Sequence, residues 1–210
     1  MFTLETCEGE IRIQENSKML YSSGGTVWSS SPVLCKYFEK HRRKMKIGKN
    51  TKCLELGAGC GLIGIFMAKI GCRVVITDQE VVLPTLEKNI NSNLDKSEVD
   101  IQVRELSWGN EEQITGIIKK ETSFDIIYGS DIVFNVNMVD PLLETINKLS
   151  STRTLIFICY EIRDPDAHKY FLERVPEHHY DIKEIPMSKH HQDCSDERVL
   201  LYQLNKIDLE

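Results

Sequence analysis

The stretch Leu54-Glu55-Leu56-Gly57-Ala58-Gly59-Cys60-Gly61-Leu62-Ile63-Gly64 holds the residues best suited to chemistry. An apolar strand runs into glycines that open a helix, the place where an α/β sheet binds ligands. Glycine adopts φ > 0 and lets a ligand approach the backbone with no Cβ in the way. Residues 59–64 match G-x-G-x-x-G, so a nicotinamide or flavin site comes into consideration. Asp78 ends the next strand, 19 residues after Gly59. A carboxylate there accepts hydrogen bonds from both ribose hydroxyls of a nucleoside without choosing the nucleotide. Glu55 does choose. It sits inside the strand, where a dinucleotide fingerprint has an apolar residue, and it suits a cationic amino group while repelling a pyrophosphate. The 210 residues also leave no room for the separate substrate domain of most dehydrogenases. Glu55-x-Gly57-x-Gly59-x-Gly61 therefore points to S-adenosylmethionine.

The elements that must position these residues follow from the hydrophobic pattern. Residues 51–56, 73–77, 101–106, 124–128, 154–160, 180–185 and 198–204 read as strands. Helical patterns fall at 61–70, 84–94, 111–120, 141–149 and 167–174, with one more over 31–45. Asp140-Pro141 has the form of an N-cap followed by proline at the first helical position, which predicts a helix start there. The β-α-β-α rhythm implies a mostly parallel sheet with helices on both faces. Leu155-Ile156-Phe157-Ile158 is continuously apolar, as a strand covered on both faces must be. Only 186–197 separate the last two strands, without a helix, so an antiparallel hairpin at one sheet edge is expected. With no repeat and no Gly/Ser/Pro-rich linker, one domain over 1–210 is expected. Residues 1–50 form its N-terminal cap segment and helix, and 51–206 its core.

Composition narrows the classes of function. Hydrophobic residues are 41% and charged residues 28%, a globular and not a disordered balance. A net charge of −6 argues against a general nucleic-acid binder. Seven cysteines without a C-x-x-C pair argue against structural zinc and for reduced thiols in a cytosolic or nuclear protein. No apolar run reaches 18 residues, which excludes a helical membrane span, and Met1 to Glu10 is expected to be neither signal nor transit peptide. Residues 36–52 hold eight Lys or Arg against one Glu, which reads as a solvated helix end. His190-His191-Gln192-Asp193-Cys194 reads as a polar loop, and no metal site is assigned.

Further motifs carry a family resemblance. They are Gly25-Thr26-Val27-Trp28, the loop Glu55–Gly61, Ile76-Thr77-Asp78, Glu105-Leu106-Ser107-Trp108-Gly109, Gly129-Ser130-Asp131-Ile132-Val133-Phe134 and Cys159-Tyr160-Glu161-Ile162-Arg163. Over about residues 11–206 the chain resembles the seven-β-strand protein-lysine methyltransferases of methyltransferase family 16. The resemblance implies a Rossmann-like class I fold: a seven-stranded, mostly parallel sheet with an antiparallel edge hairpin. It implies S-adenosylmethionine as donor, S-adenosylhomocysteine as product, and a protein substrate presenting a lysine. By the same resemblance, Trp28 contacts the cofactor, and Gly57, Ala58 and Gly59 line its methionine and ribose side. Asp78 holds the ribose hydroxyls, Trp108 lies against the adenine, and Ser130 borders the pocket. Asp131 and Phe134 match the D-x-x-Y/F element beside the target lysine, where the family more often has Tyr.

Methyl transfer from a sulfonium is an in-line displacement, so positioning and desolvation are the enzyme's main tasks. A carboxylate at Asp131 favours the ammonium form of lysine, which assigns it to docking the amine and not to taking its proton. Phe134 and Tyr160 are expected to wall the lysine channel, since aromatic faces attract a cation. Two alternatives stand beside this: the same fold methylating a small molecule or nucleic acid, and a silent cofactor-binding protein. The absence of an N/D-P-P-Y/F element opposes the first, and intact Glu55, Asp78 and Asp131 oppose the second. A monomer without membrane or nucleic-acid partners, cytoplasmic and also nuclear, is the expectation.

Overall fold

The computed structural model describes residues 1–16 and 24–208. A hairpin of β1 (Phe2–Thr6) and β2 (Gly9–Ile13) precedes α1 (Ser30–Met45). Then β3 (Lys52–Glu55), α2 (Leu62–Lys69), β4 (Arg73–Asp78), α3 (Leu83–Asn93), β5 (Ile101–Glu105) and α4 (Glu111–Lys120) alternate. They continue as β6 (Ile126–Ser130), α5 (Val136–Leu149), β7 (Leu155–Glu161), α6 (Pro165–Glu177), β8 (Tyr180–Glu184) and β9 (Val199–Lys206). The seven-stranded sheet has the order β5-β4-β3-β6-β7-β9-β8, parallel from β5 to β7 and antiparallel at β9 and β8. The last strand thus inserts between β7 and β8, which forms the edge.

Strand periodicity divides the core into two layers. Cys53, Tyr128, Phe157 and Cys159 face α1, α2 and α3, whereas Leu54, Leu56, Ile127, Ile156, Ile158 and Tyr160 face α4, α5 and α6. Each fully buried leucine or isoleucine contributes about 1.5–3 kcal/mol, so the two layers dominate stability. Helix α2 buries seven of its eight residues because the sheet, α1 and the hairpin surround it.

Two features differ from the sequence pattern. The hairpin β1–β2 lies where no strands were expected. Asn89 and Asn93, one turn apart on α3, give their side-chain amides to the backbone of β2 and the residues after it. Asn93 pairs with the N–H and C=O of Arg12, and Asn89 with those of Gln14. Asn89 also donates to the Cys60 carbonyl at 3.0 Å, tying the hairpin to the glycine loop. The second difference is that α5 starts at Val136, five residues before Pro141, capped by the Asn135 side chain. Asp140 caps nothing; it accepts from Tyr170 Oη at 2.8 Å and Arg174 Nε at 2.7 Å on α6. The basic end of α1 is partly used as well: Lys40 Nζ donates to His190 O, and His41 Nε2 bonds Lys189 O, across the loop before β9.

Candidate functional site

The carboxyl ends of β3, β4, β5 and β6 open on one cavity of about 280 Å³. Its floor is the turn after β3, where Gly57 (φ +61°) and Gly59 (φ +53°) take left-handed backbone angles. A Cβ on Gly57 would lie 2.8 Å from Ile132 Cγ2 and 3.2 Å from Trp108 Cζ2, so only glycine fits there. Gly61 caps α2 with φ +87°, turning the chain into the helix. Asp78, the last residue of β4, accepts the Gly59 N–H at 2.7 Å on one oxygen and the Gln79 N–H at 2.7 Å on the other. Burial raises its pKa, while those two amides pull it down. Each carboxylate oxygen can accept two hydrogen bonds, so among the described residues both keep capacity for one more.

Trp28, Ala58, Trp108, Ser130, Asp131 and Phe134 line the same cavity. Phe134 is 37% exposed, and its ring centre lies 6.3 Å from that of Trp108. Three consecutive serines fasten the start of α1 to the strand ends. Ser29 Oγ donates to Glu161 Oε2 at 2.9 Å, Ser30 Oγ to Asp131 Oδ2 at 2.8 Å, and Ser31 Oγ lies 2.7 Å from Ser130 Oγ. Ser29 precedes α1 as its cap residue but gives that helix no side-chain cap; its backbone is already helical (φ −53°, ψ −33°), where a capping residue is extended. Asp131 has φ +53°, a strained angle for a residue with a Cβ. The strain is held by its N–H on Cys159 O at 2.7 Å and by the Glu161 N–H on its Oδ1 at 3.1 Å.

Two expected site residues are elsewhere. Tyr160 is fully buried in the α6-side layer, its hydroxyl 2.9 Å from His168 Nδ1 and its ring against Phe171 and Tyr202. Strand alternation explains this: Tyr160 shares a face with Ile158, and its neighbour Glu161 turns to the α1 side, where Ser29 donates to it. Glu55 is 2% exposed and does not line the cavity. It points under α2, where the Gly64 N–H donates to it and its Oε2 has no hydrogen-bond partner among the described residues. Burial first, then the charge of Asp78, holds its pKa well above the usual carboxylate range, against the pull of the Gly64 amide. Its carboxyl is turned away from the cavity, so the structure does not place it against a ligand there as its sequence position suggested. It packs closely on Gly64, where an added Cβ would sit 2.4 Å from Glu55 Oε2. Ser31, Gln79, Asn135 and Met138 also line the cavity, although no motif marked them, and Thr26, inside a quoted motif, lines it without having been given a role. Gln79 was within reach of sequence reasoning, since it directly follows the strand-end acid.

The sheet order, the glycine turn and the acid at the end of β4 define a class I, Rossmann-like methyltransferase. Solved structures share the fold at low identity. The precorrin-6y C5,15-methyltransferase of Geobacter metallireducens GS-15 has a TM-score of 0.61, 9% identity and coverage of 93% of this chain and 94% of its own. A glycopeptide N-methyltransferase, MtfA, solved with sinefungin, gives 0.60, 10%, 82% and 87%. The model of the family described as lysine methyltransferase matches residues 6–178, and the chain belongs to that family. Protein N-lysine methyltransferase METTL21A of Danio rerio is 34% identical over 177 residues, covering 81% of this chain and 78% of the relative. EEF1A lysine methyltransferase 3 of Xenopus tropicalis is 28% identical over 200 residues, covering 95% and 83%. The protein is an S-adenosylmethionine-dependent protein-lysine N-methyltransferase.

Proposed function

We propose that methyl transfer to a protein lysine takes place in the cavity above the glycine turn, within one domain of cap (1–50) and core (51–206). The convergence of that turn, Asp78 and Asp131 on one cavity supports this reading. Gly57, Ala58 and Gly59 would pass along the methionine and ribose side of the donor, and the free lone pairs of Asp78 suit the ribose hydroxyls. Trp108 would lie against the adenine, with Trp28 and Ser130 at the border. S-adenosylmethionine supplies an electrophilic methyl group on a sulfonium. Phe134 offers its aromatic face to the incoming lysine.

Asp131 attracts and orients the amine by its charge and by the lone pair each oxygen keeps after accepting from Ser30 and Glu161. No described residue lining the cavity is a histidine, and burial pushes the Cys60 thiol up to about 12. The lysine, with a pKa of about 10.4 in water, therefore loses its proton to solvent, and rates should climb with pH. The partner is a protein presenting a lysine. Monomeric action in the cytoplasm and nucleus completes the proposal, and seven free thiols suit that reducing compartment.

Asp131→Asn is the test of the lysine side. Asparagine tolerates the left-handed angle and keeps the side chain's shape, so the variant should fold and bind S-adenosylhomocysteine like the wild type. Single-turnover methyl transfer should fall by about a hundredfold, since hydrogen-bonded charges are worth 1.5–3 kcal/mol. Near-normal transfer would remove Asp131 from lysine docking.

A further inference from the structure

Trp28 and Asp131 both line the cavity, and one side chain outside its lining touches both. Arg163, in the turn after β7, places its guanidinium carbon 4.3 Å from the centre of the Trp28 ring. Its Nε is 3.5 Å from Asp131 Oδ1, and its Nη2 is 3.2 Å from Glu161 Oε2. These contacts cross the seam that the three serines close, between the segment before α1 and the ends of β6 and β7. Two carboxylates and one guanidinium meet there, and Arg198 lies 3.7 Å from Glu161. A guanidinium stacks with its flat face and donates from its edge at the same time, which a lysine ammonium cannot do.

We infer that Arg163 is a positioning residue for methyl transfer. It fixes the Trp28 indole and the Asp131 carboxylate relative to each other across the seam, and so sets the lysine side of the cavity. The inference deepens the proposed function and rests on it. The backbone angle of Asp131 gives the physical reason. A strained residue keeps its geometry only while its neighbours determine it, and Arg163 is the neighbour that also holds the cavity wall. Without Arg163, Asp131 retains Ser30 and the Glu161 amide, so the fold persists while the relative placement of carboxylate and indole loosens.

The sequence holds two tryptophans, Trp28 and Trp108, so fluorotryptophan labelling gives two fluorine resonances, assigned with Trp108→Phe. Arg163→Met keeps an unbranched stem without charge or plane, and Arg163→Lys restores the charge alone. In Arg163→Met the Trp28 resonance should move and broaden while that of Trp108 stays. Methyl transfer from saturating S-adenosylmethionine into the proteins of a cell lysate should drop about tenfold or more, as loss of a charge-assisted contact implies. In Arg163→Lys the Trp28 resonance should remain displaced while transfer recovers only in part. Should the methionine variant fail to fold, the lysine variant carries the same two readouts. An unmoved Trp28 resonance overturns the clamp, and a displaced resonance with wild-type rates in both variants overturns the positioning role. If the wild type methylates no protein although the resonance moves on substitution, the proposed function fails, the positioning role falls with it, and the Arg163–Trp28 contact stands.

Discussion

Asp78 and Glu55 are carboxylates on neighbouring strands, and their surroundings give them opposite uses. Asp78 meets the cavity at a strand end, with two amides on its oxygens and lone pairs to spare. Asp78→Ala should weaken S-adenosylmethionine binding about ten- to a hundredfold by calorimetry, at 1.5–3 kcal/mol for hydrogen bonds to a charged group. Glu55 is buried under α2, and that burial raises its pKa. Its folded pKa is raised, so folded protein holds a proton that unfolded protein releases above its ordinary carboxyl pKa. Stability from this group is therefore full below that value and declines as pH rises from about 4.3, by up to about 1.4 kcal/mol per pH unit. Glu55→Gln should remove the decline, and its melting temperature should gain on the wild type from pH 5 to pH 8. A constant difference across that range would show Glu55 charged. The glycine turn and Asp78 were legible because their spacing alone places them at strand ends. Glu55 and Tyr160 were misplaced because a residue type signals chemistry, whereas strand parity decides which face it serves.

At the scale of elements, the same dipeptide has two outcomes. Asp164-Pro165 starts α6, with the Asp164 side chain accepting the amides of Asp166 and Ala167. Asp140-Pro141 lies inside α5, and Asp140 braces it to α6 instead. A cap motif competes with other caps, and Asn135 precedes the apolar run that α5 buries. Asp164→Ala and Asn135→Ala should each cost about 1 kcal/mol in urea denaturation. If Asn135→Ala is silent, α5 is held by packing and not by its cap. The alternating strand–helix order was legible from apolar runs bounded by turn residues. The hairpin β1–β2 was not, because its strands are only five residues long and the outer edge of β2 is completed by side chains far along the chain. Asn89 and Asn93 on α3 cannot be read as such before the fold brings them near.

For the whole molecule, the sheet gathers four strand ends under a segment that arrives from the N-terminal side. In the proposed function, donor contacts would come from the glycine turn and β4, and lysine contacts from the turn after β6. The three serines and Arg163 join the two sets of elements. Methyl transfer needs this closure, since a sulfonium and an amine react only when held in line and away from water. The most direct measurement uses isotopically labelled S-adenosylmethionine with a protein lysate, followed by complete acid hydrolysis and amino-acid analysis, for the wild type and Asp78→Ala. Label should appear as methylated lysine with the wild type and should be strongly reduced with the variant at limiting donor. Label recovered in nucleic acid or small molecules, with none in methylated lysine, would contradict the central claim.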